Sequence, residues 1–91
     1  MSELTETEKY RQGIAEARTE AERLRTLATD ESVTAWIRVA IRDLDDADRW
    51  IAETREDFRF AMADISISAA AGRLKVINHA IGTHGTGVKL V

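Results

Sequence analysis

The stretch VTAWIRVAIRDLDDADRWIAETREDFRFAMADI, Val33 to Ile65, carries a stripe in which successive members stand alternately 4 and 3 residues apart. Its members are Val33, Ile37, Ala40, Leu44, Ala47, Ile51, Thr54, Phe58, Ala61 and Ile65. That is the 3.5-residue period of a helix–helix seam. Upstream, Tyr10, Ile14, Ala17, Ala21, Leu24 and Ala28 keep the same alternation. Thr29-Asp30-Glu31-Ser32 separates the two stripes and offers Thr29 or Asp30 as a cap for the free N–H groups of the second helix. So short a connection makes the two helices antiparallel neighbours. Closing the hairpin pairs Leu24 with Ile37, Ala21 with Ala40, Ala17 with Leu44, Ile14 with Ala47 and Tyr10 with Ile51. Large side chains then face or stagger against Ala, a pattern that lets them interdigitate.

The charged positions flanking this seam fall on two edges. One bears Arg11, Arg18 and Arg25 at heptad spacing, with Asp48 in reach of Arg11. The other bears Glu6, Glu20, Asp43 and Asp57, interleaved with Trp36 and Trp50. Glu20 opposite Asp43 is repulsive within one hairpin. A second hairpin's Arg edge laid there would relieve the repulsion and cover both indoles.

Beyond Phe58 a second stripe opens on the other face: Phe60, Ala63, Ile67, Ala70, Leu74, Ile77 and Ile81. A segment apolar on two sides has to be covered on both. An unbroken helix from Asp30 to Ile81 would be about 78 Å long at 1.5 Å per residue, well beyond the usual length. A break at Ser66 to Ser68 is therefore expected, with Ser68 capping a shorter third helix. The reading is an all-α chain, an antiparallel coiled-coil-like hairpin plus that C-terminal helix. Helices are expected at about 4–28, 30–64 and 69–81, in one domain spanning 1–82. A flexible Gly-rich arm would occupy 83–91, with Val88-Lys89-Leu90-Val91 as its apolar tip.

Composition narrows the chemistry. The 91 residues include no Cys and no Pro, so disulfides, thiolate metal sites and thiol catalysis are excluded. Thirteen basic against sixteen acidic residues give a net charge of −3, which disfavours a nucleic-acid backbone as principal partner. No apolar run is long enough for a membrane span, and the acidic N-terminus is no signal peptide, which points to the cytoplasm. Asp43-Leu44-Asp45-Asp46-Ala47-Asp48 lies on a helix with seam residues inside it, so its carboxylates diverge and form no calcium loop. Arg42–Asp46, Asp45–Arg49 and Arg49–Glu53 are expected i,i+4 pairs. His79 and His84 lack further ligands for a metal.

Gly82-Thr83-His84-Gly85-Thr86-Gly87-Val88 resembles the stretch around the catalytic His of subtilisin-like proteases. The chain has neither the companion Ser and Asp motifs nor the length of such an enzyme, and no protease activity is expected. The small all-helical chorismate mutases reach this size as intertwined dimers. They need Arg and Lys converging inside the bundle, whereas here the Arg residues lie on edges and outer faces.

The expectation is a non-enzymatic interaction or assembly protein without cofactor. Its partners would be itself, as a homo-oligomer, and another protein. Phe60, Ile67, Leu74, Ile77 and Ile81 would form the apolar contact, Trp36 and Trp50 would anchor the edge, and Arg11, Arg18 and Arg25 would be its charge partners. The alternative is a small regulator that binds nucleic acid through Arg38 and Arg42 or inhibits a partner protein.

Overall fold

The computed structural model describes residues 5–90 and contains three helices. They are α1 (Glu6–Leu27), α2 (Glu31–Ala52) and α3 (Arg59–His84), with no strand among the described residues. The expected start at residue 4, and the packing of Leu4 near Phe58, lie outside the described residues.

Side-chain caps set the first two helix starts. Thr5 accepts a hydrogen bond from the Glu8 N–H at 3.1 Å, and Asp30 accepts one from the Ser32 N–H at 2.9 Å. Each satisfies one of the free donors of a first turn. Between α1 and α2 the chain turns through Ala28 in extended conformation. The seam stripes then close on each other. Ile14, Ala21, Leu24, Val33, Ile37, Ala40, Leu44, Ala47 and Ile51 are all buried, and Tyr10 and Ala17 pack partly buried against them. Arg18 reaches both Asp45 and Asp48, which fits the antiparallel register.

The second helix is shorter than its stripe predicts. It ends at Ala52 instead of about residue 64, and the third begins at Arg59 instead of 69, so the break falls at residues 53–58. Ser66 and Ser68 sit inside α3. Thr54, Phe58, Ala61 and Ile65, expected to prolong the seam, are exposed. Two stripes competed for residues 58–65, and the one from Phe60 to Ile81 prevailed, because it buries more apolar surface. Serine weakens a helix interior by only a few tenths of a kcal/mol, a smaller effect.

Arg59 pins the break. Its Nη1 donates to the Ile51 carbonyl at 2.6 Å, one of the acceptors left unpaired at the end of α2. Its guanidinium lies 4.3 Å from the centre of the Phe60 ring, which stacks on Tyr10 at 5.0 Å.

Helix α3 folds back along both others. Ala63, Ala70, Leu74, Ile77 and Ala80 are buried, and Phe60, Ile67 and Ile81 pack half-buried against the core. Tyr10 meets Asp64 and Arg23 meets Asn78, so α1 and α3 run parallel. Arg73 meets Asp43, so α2 runs against both. The result is an up-down-up three-helix bundle. It continues two residues past Gly82 and stops at Gly85, whose φ of 90° suits a residue without Cβ. The chain then crosses the α1–α2 turn. Thr29 N–H donates to the Thr86 carbonyl at 3.0 Å, Leu90 N–H donates to Ser32 Oγ at 2.8 Å, and Val88 and Leu90 pack against the core. The Val91 end of the expected apolar tip is outside the described residues.

Candidate interaction surface

The chain's own third helix meets the middle of the acidic edge, at Asp43 and beside Glu20, in the place where sequence reasoning set a second hairpin, while Glu6, Asp57 and Trp36 stay exposed. Arg73 Nη1 donates to Asp43 Oδ2 at 2.6 Å, and its guanidinium carbon lies 6.0 Å from the centre of the Trp36 ring. Glu20, the other half of the expected repulsion, is bound by Arg23, which also reaches Asn78 of α3 at 2.7 Å. The Arg23 guanidinium holds the Glu20 carboxyl below its ordinary pKa. Like charges across the α1–α2 seam are thus relieved by arginines inside the same molecule.

The residues expected to bind partners separate into three groups. Leu74 and Ile77 lie in the chain's own core, 3% and 0% exposed, so this arrangement leaves neither on the surface. Phe60, Ile67 and Ile81 are half-buried. Ile67 shares an open depression of about 300 Å3 with Glu6, Lys9, Tyr10, Gly13 and Asp64. Trp50 is half-buried with the Phe58 ring tilted against it at 5.6 Å, and Trp36 keeps a large exposed area.

The Arg edge does not present three equivalent charges. Arg18 donates to Asp45 at 2.7 Å and to Asp48 at 2.6 Å, and these two hydrogen bonds raise its pKa. Asp48 therefore serves Arg18 instead of Arg11, which is exposed. Arg25 pairs loosely with Glu22 at 3.8 Å. Asp46 pairs with Arg49 one turn on, at i,i+3, where an Arg42 partner was expected. Among the described residues no group of three or more carboxylates and imidazoles is placed to hold a metal, and no helix is long and apolar enough to cross a membrane.

What sequence reasoning missed is the outward face of α3. Ala61, Ile65, Ser68, Gly72, Val76 and His79 follow at helical spacing and are all exposed. Ile65 is 63% and Val76 53% exposed. Alongside them stand Phe58 at 51%, Trp36 at 43% and Val39 at 40%. The Arg73–Asp43 contact sets the heights of these two antiparallel helices. It brings Val76 level with Trp36 and Val39, and Ile65 level with Trp50. Five of the six large exposed apolar side chains, all except Leu27 at the end of α1, thus fall over α3, the adjoining shoulder of α2 and the turn between them. A signal was available: α3 carries apolar residues on every side, with just Arg59, Asp64, Arg73 and Lys75 charged. A helix of that kind asks for cover all round.

Compared with known proteins, the chain matches no family, no curated protein and no solved structure.

Proposed function

We propose that this chain is a non-enzymatic helical interaction protein that associates with itself and acts as a structural or adaptor component of a larger complex. The observation that carries this reading is the exposed apolar side formed by Ile65, Val76, Phe58, Trp36 and Val39. Scattered apolar side chains are ordinary on a protein surface, but a contiguous patch of large ones marks an interaction site. At about 25 cal/mol per Å2, covering such a patch contributes several kcal/mol to an assembly. The contact is therefore sited on the outward face of α3, displaced from the Leu74 and Ile77 positions that the core has taken.

The test is absolute mass by light scattering at two concentrations and two salt levels. Assembly gives a mass near a multiple of 10.2 kDa that rises with concentration. Apolar contact keeps that mass at high salt, since salt screens charges and not apolar burial. A monomeric mass under every condition would overturn the reading.

A further inference from the structure

Resting on the self-association just proposed, we infer that the second copy binds with its α3 antiparallel to α3 of the first, about a twofold axis passing between Ala69 and Gly72. A twofold interface uses one patch twice, so the patch must be complementary to itself. Ile65 and Val76 lie eleven residues apart, about three helical turns, on the outward line of α3. The midpoint between them coincides with that between Ala69 and Gly72. Antiparallel pairing about that point sets Ile65 against the partner's Val76, and does so twice.

The charges select the direction. Asp64 and Lys75 form no ion pair among the described residues, whereas Arg73 has Asp43. Both flank the same side of α3, the side toward α1. Asp64 accepts from the Tyr10 hydroxyl there at 2.8 Å, and Lys75 borders a depression shared with Ala17 and Glu20. A twofold axis perpendicular to the helices brings like flanks together. In the antiparallel pair Asp64 then falls about 3 Å along the axis from the partner's Lys75, two residues at 1.5 Å each, within reach of a lysine side chain. A parallel pair, related by an axis along the helices, would put the two copies' Asp64 and Lys75 on opposite flanks, where neither meets its opposite charge. On the opposite flank the same operation lays Trp36 and Val39 of one copy over the partner's Trp50 and Phe58.

Because the chain has no Cys, introduced thiols report this geometry directly. Ile65→Cys and Val76→Cys proteins are oxidised mildly, each alone and as a mixture, and run without reductant; circular dichroism confirms the helix content of each. The mixture is expected to give a disulfide-linked dimer while each variant alone does not, since positions 65 and 65 of the two copies stand about 16 Å apart along the axis. In parallel, Asp64→Lys should weaken dimerisation about three- to tenfold, and Lys75→Asp in the same chain should restore it, as two exposed ion pairs would allow. Linking of the single variants alone would overturn the antiparallel arrangement. A dimeric mass with no linking in any sample would overturn the α3 interface and leave self-association standing. A monomeric mass throughout would overturn both.

Discussion

Arg73 and Asp43 join the middle of α3 to the middle of α2 by a 2.6 Å hydrogen bond between ions, beneath the exposed ring of Trp36. The two side chains are 34% and 22% exposed, so water screens the pair only in part. A double-mutant cycle with Arg73→Ala and Asp43→Ala should give a coupling of about 0.5–1 kcal/mol that falls as salt is added. Asp43→Ala alone should quench less stability than Arg73→Ala, because the arginine also covers the indole.

Two isoleucines of α3, one in the core and one on the surface, should separate stability from association. Ile77 is fully buried, so Ile77→Ala removes packed methyls and should cost about 2–4 kcal/mol in denaturant unfolding. Ile65→Ala strips a side chain that is 63% exposed and should stay within about 0.5 kcal/mol at concentrations too low for assembly. Leu74→Asp with Ile77→Asp should unfold the chain outright, as charges would be buried without partners.

Tyr10 should titrate late. Its hydroxyl donates to Asp64, and this hydrogen bond, followed by a small burial effect and the carboxylate's charge, raises the phenol above its ordinary pKa. A folded pKa above the unfolded one means that the stabilisation is complete below the ordinary tyrosine value. It is lost as pH climbs through the raised one. Ultraviolet titration of Asp64→Asn should show Tyr10 returning toward its ordinary value.

The cap of α2 should show on the acid side. Asp30 accepts from the Ser32 hydroxyl and then from the Ser32 N–H, and both hold its carboxyl below the ordinary aspartate range. Here the folded pKa is the lower one. Its stabilisation is present above the ordinary aspartate pKa and disappears as pH falls through the lowered value. Ser32→Ala removes the first donor and also the acceptor for the Leu90 N–H. The variant should melt lower than the parent at neutral pH, and the gap should narrow on acidification.

The hairpin is readable from sequence because each stripe has one possible partner and Asp30 marks the turn between them. The second stripe of α3 is equally plain, from Phe60 to Ile81. The position of the break is not readable, since nothing in Glu53 to Phe58 forbids a helix by propensity. The break follows from packing, the burial of the Phe60 to Ile81 stripe, and the Arg59 guanidinium then meets the freed Ile51 carbonyl. The exposed apolar side was obscured by the same ambiguity. Ile65 fits the spacing of the first stripe, and only once the break is known does it turn outward in line with Val76. Likewise Glu20 and Asp43 read as an edge in want of a foreign cation, because Arg23 and Arg73 meet them by packing and not by local spacing.

An odd number of helices has a mechanical consequence. A chain entering at the head of α1 and leaving at the foot of α3 does so from opposite ends of a body 43 Å long. Tension applied through those ends slides α1 and α3 past α2 lengthwise. All their side-chain layers are then loaded together, where a two-helix hairpin pulled from its adjacent ends would peel open one layer at a time.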